Sequence, residues 1–438
     1  MTIATDPVAS TSSAKLGGYD FFQKVLGSPK YIVAPMVEQS ELAWRKLSRK
    51  YGAQVIYTPM INAKLFAMEN RKQYRNENFD IPSGEEGGPE DRPLIVQFCA
   101  NEPDFLLQAA KVVESHCDAV DINLGCPQDI ARRGHYGSFL QDEWDLIYQL
   151  INKLHTNLSV PVTAKFRVFS TVEKTVAYAK MLESAGAQVL TCHGRTREQR
   201  GHNSGLADWD KIRAVKQSVS VPVIANGNIL FHSDIEACLA ATGADAVMSA
   251  EGNLYNPALF MAAPFAPPRA DPALPSTWCI ASPTGLHPPH TRLALEYLDI
   301  VRSLKTHTSP GAIKAHLFKL LRPALGRETD LREQLGRVRG KGRDVLPKYE
   351  AIVQEMDARM LVQGGPVDEL IAVDPATGLA VLPHWVAQPY VRALPKVAAE
   401  GDMNNEKAVA VVAEVGTPAP APSKSPVTYR EMGCKAFR

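Results

Sequence analysis

Cys126 lies in the run Asp121-Ile122-Asn123-Leu124-Gly125-Cys126-Pro127. An apolar stretch that meets Gly and then Pro must turn out of a strand, so this thiol sits at a strand end and not along its buried length. A thiol held there can give a proton or attack an electrophile. Cys99, Cys117, Cys192 and Cys238 lack that punctuation and read as small buried hydrophobes. Other polar groups recur at the ends of neighbouring apolar runs. Pro35, Met36 and Val37 follow the first run, Gln97 lies on the third, and Asn123 on the fourth. Lys165 and Arg167 lie on the fifth, His193 and Arg195 close the sixth, Asn226, Gly227 and Asn228 end the seventh, and Ala250, Glu251 and Gly252 follow the eighth. Such groups are costly on a strand buried on both faces, and their return at one end of successive runs signals a site.

These residues need a scaffold that gathers strand ends. Short β-branched runs at 31–37, 55–59, 94–99, 119–124, 162–168, 189–193, 223–225 and 246–249 alternate with helical patterns such as 103–115, 144–155, 171–185 and 234–242. Eight buried strands with intervening helices predict an α/β fold, a closed (β/α)8 (TIM) barrel, whose working groups sit where strands end. An open doubly wound sheet is the rival, but no G-x-G-x-x-G follows the first run. Alternation turns Lys165 inward. Glycines 227 and 252, after the seventh and eighth strands, let the backbone approach a phosphate, as barrels often do at those loops. Gln97 and Asn123 carry amides that can pair with ring edges.

Composition narrows the class. Among 438 residues 45% are hydrophobic, and Lys plus Arg (48) nearly balances Asp plus Glu (47). The seven cysteines are scattered, with no C-x-x-C pair, so neither a disulfide framework nor a metal site is expected. The N-terminus lacks the layout of a signal peptide, and no apolar run approaches bilayer-spanning length. A soluble, intracellular protein is the expectation.

The motifs resemble one family. "DINLGCPQDIARRGHYGSFL" resembles the active-site segment of tRNA-dihydrouridine synthases, and "APMV", "TAKFRV", "CHGRTREQ", "IANGNI" and "MSAEGNLYNPALF" resemble its flavin-binding segments in the same order. "GHYGSFL", "AEGNLYNP" and "LEYLDIVR" are most similar to the eukaryotic branch acting on positions 16 and 17 of the tRNA D-loop. The resemblance covers about residues 30–345. It implies an FMN-holding barrel followed by a helical tRNA-binding domain, with NADPH or NADH as reductant, tRNA as partner and no obligate protein partner. On this basis Cys126 is the proton donor, and Lys165 lies against the isoalloxazine. FMN contacts are expected from Pro35, Met36, Val37, Gln97, Lys165, His193, Asn226, Gly227, Asn228, Ala250, Glu251 and Gly252. The proton donor must keep its proton at neutral pH, so Cys126 should lie away from strong cations.

The implied organisation is a flexible N-terminal segment (1–28), the FMN-binding barrel (29–261), a Pro-rich linker (262–290), the helical tRNA-binding domain (291–363) and a largely flexible C-terminal extension (364–438). Cytoplasm is the expected location, with the nucleus as a second one. Between 312 and 348 ten Lys or Arg face four acids (Glu328, Asp330, Glu333, Asp344), a basic block fitted to phosphates. Substrate contacts are accordingly expected from Lys314, Lys319, Arg322, Arg337, Arg339, Lys341 and Arg343. At the barrel mouth they are expected from Asn123, Arg132, Arg133, Arg167 and Arg195. Two rival readings remain. A flavin-dependent reductase of a small molecule would have no use for the basic block, and an RNA-binding protein on a disused barrel would hold no flavin.

Overall fold

The structure is a computed structural model that describes residues 15–261, 280–282, 285–363, 372–373 and 380–390. Eight barrel strands run parallel: β1 (Tyr31–Val33), β2 (Val55–Tyr57), β3 (Leu94–Cys99), β4 (Ala119–Leu124), β5 (Val162–Arg167), β6 (Leu190–His193), β7 (Val223–Asn226) and β8 (Ala246–Ser249), and a two-residue strand, Ile61–Asn62, adds to β3 in the same direction. Each pairs with the next, and β1 pairs with β8, so the sheet closes into the (β/α)8 barrel. β1 stops at Val33, short of the predicted 37, because Pro35 has no N–H to give to the ladder.

The register sets the site. Gln97 lies beside Asp121, Asn123 beside Lys165, Arg167 beside His193, and His193 beside Asn226. Polar residues that the sequence presents as separate motifs thus fall at adjacent levels near one rim.

The helices cover the outside and begin where capping chemistry allows. Thr171 caps Val172–Ser184 and Asp208 caps Trp209–Lys216, each accepting from a backbone N–H three residues on. Inside the barrel, Ile32, Tyr57, Ile95, Ile224 and Met248 form an apolar plug completed by Phe21 and Phe22. Those two phenylalanines belong to a helix, Gly18–Lys24, within the segment expected to be flexible. The polar stretch 80–92 forms a loop with two short 3-10 turns, and its Asp91 and Glu85 neutralise the buried Arg45 at 2.7 and 3.2 Å.

The helical region contains α1 (His290–Ser303), α2 (Pro310–Leu320), α3 (Thr329–Arg337) and α4 (Leu346–Gln363). Ser309 caps α2, with Pro310 at its first position. Its core is shared with the barrel helix Leu42–Lys50 through Trp44 and Leu47, and with Trp385, Val386 and Ala387. Residues 285–290, the end of the Pro-rich stretch, are buried, and Ala387 N–H donates to Pro288 O at 2.8 Å. Residues 262–279, like 391–438, lie outside the described part of the chain.

Candidate active site

Cys126 is half-buried on the turn leaving β4. Asn123 makes that turn: its Oδ1 accepts from the N–H of Gly125 (3.1 Å) and of Cys126 (2.9 Å). The Cys126 carbonyl accepts from both the N–H and the hydroxyl of Ser138, at 3.1 and 2.9 Å. Gly137, at φ 66°, passes so close that a Cβ there would lie 2.8 Å from the Cys126 oxygen. The loop is therefore pinned from two directions.

Burial raises the Cys126 thiol above its ordinary value. The N–H of Gln128 and the charges of Arg167 and Lys165 act against that rise without reversing it. The expectation that Cys126 lies away from cations thus needs correcting. Two cations influence it, and it stays protonated because desolvation outweighs them.

Lys165 is inward on β5, and burial, assisted by Arg167, lowers its ammonium to about 8. No salt bridge neutralises it among the described residues, so it is a desolvated cation suited to an anionic group. His193 is held well below its usual value by burial and then by Arg167, Lys165 and Arg195. Arg195 Nη1 lies 3.2 Å from His193 Nε2. Since guanidinium only donates, Nε2 accepts and the neutral ring carries its proton on Nδ1.

Arg195 also donates to Asn228 Oδ1 at 2.8 Å, and Asn226 Nδ2 donates to Met248 O at 2.9 Å. Gly227 has φ 115°, and a Cβ there would lie 2.6 Å from Ala207 Cβ and 3.1 Å from His193 Cδ2. At Gly252 a Cβ would lie 2.5 Å from the Ile229 oxygen. Close packing thus requires both glycines, Gly227 against Ala207 and His193 and Gly252 against the Ile229 carbonyl. Ala250 and Glu251 lead into Gly252 there, and Pro35 and Met36, half-buried, with Val37, exposed, follow β1 across the mouth. The Lys165 cation and the neutral His193 together offer a charge and a hydrogen-bonding edge to an anionic, ring-bearing group.

Other candidates are differently employed. Arg167 donates to the carbonyls of Gly125 (2.8 Å), Thr196 (2.8 Å) and Gln199 (3.0 Å), so it braces the cysteine loop against the loop after β6. Arg132 and Arg133 are exposed on the short helix Asp129–Gly134 beside Cys126. In the helical region Lys314 spends its ammonium on the carbonyls of Gly336 and Val338, at 2.9 and 3.0 Å. Lys319 is lowered to about 8 by burial and partly restored by Glu251 across the barrel junction. The Arg322 guanidinium stacks 3.6 Å over the Tyr390 ring. Arg337, Arg339, Lys341 and Arg343 are exposed; Arg337 pairs with Glu333, and Arg343 donates to Leu304 O.

Sequence reasoning misses Asp121. It is fully buried and accepts from Gln97 Nε2 (2.8 Å) and Thr163 Oγ1 (2.6 Å). Its one signal is its place two residues before Asn123, on the same face of the strand.

A thiol, a buried lysine and a neutral histidine thus meet at the C-terminal rim of a (β/α)8 barrel. The Dihydrouridine synthase (Dus) profile matches residues 32–354, and the chain belongs to that family. It is 47% identical over 394 residues to the tRNA-dihydrouridine(16/17) synthase-like protein of Mus musculus, covering 89% of this chain and 74% of that one. To the tRNA-dihydrouridine(16/17) synthase of Saccharomyces cerevisiae it is 46% identical over 404 residues, covering 89% and 90%. To a human tRNA-dihydrouridine(20a/20b) synthase-like protein the identity is 38%, over 52% of this chain. No helix among the described residues is long and apolar enough to cross a membrane.

Proposed function

We propose that this chain reduces the C5–C6 double bond of uridines 16 and 17 in the tRNA D-loop to dihydrouridine, with FMN as bound cofactor and NAD(P)H as reductant. The reading rests above all on Cys126, a half-exposed thiol kept protonated by burial at the barrel mouth, in a chain of this family. The position specificity follows from the similarity to the 16/17 relatives, which extends over nearly the whole chain.

Reduced FMN, when bound, supplies hydride to C6 of the uracil. Lys165 and His193 would meet its ring system, Gly227 and Gly252 its phosphate. Cys126 then gives its proton to C5. The protonated thiol is what that step needs, and the loop held by Asn123 and Ser138 keeps the sulfur from drifting. Lys165 stabilises negative charge, and the neutral His193 adds a hydrogen-bonding edge without adding to the charge of Lys165 and Arg167. The target uridine belongs to folded tRNA and must swing out to reach the mouth. Arg132 and Arg133 on the rim, and Arg337, Arg339, Lys341 and Arg343 on the helical region, would hold phosphates around it. Such a protein works where tRNA matures, in the cytoplasm or the nucleus.

The test is incubation of the flavin-loaded protein with NADPH and unmodified tRNA, followed by mass mapping of nuclease fragments. The expected result is a gain of one H2 at position 16 or 17. Product only at other positions would overturn the site assignment, and none at any position would overturn the activity.

A further inference from the structure

The buried polar groups beneath Cys126 form a directed chain whose sense is fixed at both ends. At one end Asn123 Oδ1 faces two backbone N–H groups, which can only donate, so that atom must be the oxygen. Asn123 Nδ2 is thereby turned to Gln97, to whose Oε1 it donates at 2.8 Å. Gln97 Nε2 is turned in consequence to Asp121, donating to Oδ2 at 2.8 Å. Asp121 ends the chain as a pure acceptor, its other oxygen taken by Thr163 at 2.6 Å. Flipping either amide would set donor against donor inside the barrel, where nothing else relieves the conflict.

We infer that Asp121 is a positioning residue for the reaction: its acceptor oxygen sets the orientation of the Gln97 and Asn123 amides and through them the loop that carries Cys126. The inference rests on the proposed activity for its catalytic readout only. Burial raises the Asp121 carboxyl to about 6, so at neutral pH both oxygens still accept. An acceptor at this point is what orients the two amides, while the negative charge acts on Lys165. Asparagine meets the requirement, since its Oδ1 can take Gln97 while its amide donates to the Thr163 hydroxyl oxygen. Leucine, of similar size, cannot.

The experiment compares Asp121→Leu with Asp121→Asn in flavin-loaded protein. It measures dihydrouridine formation on tRNA and, separately, the alkylation rate of Cys126 by iodoacetamide, read by peptide mass. Asp121→Leu is expected to lose about 10²-fold in kcat, the scale of a small misplacement of a reacting group, with KM for tRNA little changed. Its Cys126 should alkylate several-fold faster as the loop comes free. Asp121→Asn is expected to recover most of both. Equal defects in the two variants would mean that charge, not acceptor geometry, is used, and normal behaviour in both would leave Asp121 a packing residue; either result overturns the inference. Should Asp121→Leu fail to fold, Gln97→Met breaks the chain one link on and must likewise accelerate Cys126 alkylation. If wild-type protein makes no dihydrouridine, the proposed activity fails, while the alkylation series still judges the positioning role.

Discussion

Glu41, at the start of the barrel helix Leu42–Lys50, accepts a hydrogen bond from His316 Nε2 of the helical region at 3.0 Å. The same carboxylate takes the Tyr297 hydroxyl at 2.7 Å, and the His316 ring stacks on Trp44 with centroids 4.1 Å apart at 9°. One carboxylate therefore ties two elements of the helical region to the wall of the barrel. Such a tie fixes where the basic surface stands relative to Cys126.

Removing it should loosen the junction. Glu41→Gln keeps the size but loses one of the two acceptor oxygens that His316 and Tyr297 use, and a buried donor left without its partner costs about 1–3 kcal/mol. His316, Tyr297 and their hydrogen bonds hold the Glu41 carboxyl below its usual value against the opposing effect of burial. Its contribution is therefore present above the unfolded carboxyl value and disappears as pH falls through the lower folded one. Thermal unfolding from pH 3 to 7 should show the variant less stable near neutrality and the gap closing in acid. A gap that widens in acid contradicts the assignment.

Cys126→Ala should retain flavin and bind tRNA while losing about 10²- to 10⁴-fold in turnover, the usual worth of a positioned general acid. In the wild type the acid form is the active one, and burial raises the thiol above its ordinary 9.0. Single-turnover product formation should accordingly stay level through neutrality and fall only at higher pH. An alkaline limb near pH 7 would mean that the sulfur works as a thiolate.

Lys165→Ala should weaken FMN retention or slow flavin reduction. The ammonium is lowered to about 8, so its charge is present below that pH and lost above it. FMN affinity measured by fluorescence should decline as pH rises through about 8 in the wild type, and this decline should be absent in the variant. Identical pH curves would remove Lys165 from the flavin site.

Much of this architecture is legible in the amino-acid sequence. The runs at 94–99, 119–124 and 246–249 are strands with those bounds, because β-branched segments buried on both faces announce themselves by composition. The strand-end residues converge because parallel barrel topology sends every strand's C-terminal end to one side. Asp121 is not legible, since its partners Gln97 and Thr163 lie on neighbouring strands and only register joins them. Nor does counting charge show which of the basic residues face outward. Lys314 turns to carbonyls more than twenty residues away, an arrangement made by helix packing and absent from local sequence.

That distinction separates two effects within one basic block. Arg337, Lys341 and Arg343 are exposed, and their replacement by Ala should raise KM for tRNA. The log–log salt slope of tRNA binding should shrink by roughly one unit for each phosphate no longer neutralised. Lys314→Ala should do neither, because its ammonium is already committed to Gly336 and Val338. It should instead lower the melting temperature, through a loss of about 1–2 kcal/mol from two charge-assisted hydrogen bonds on a half-buried group. Filter binding across salt concentrations, set beside thermal unfolding of the same proteins, reads both. A Lys314 variant with normal stability and a reduced salt slope would move that lysine to the RNA-facing surface and reverse the assignment.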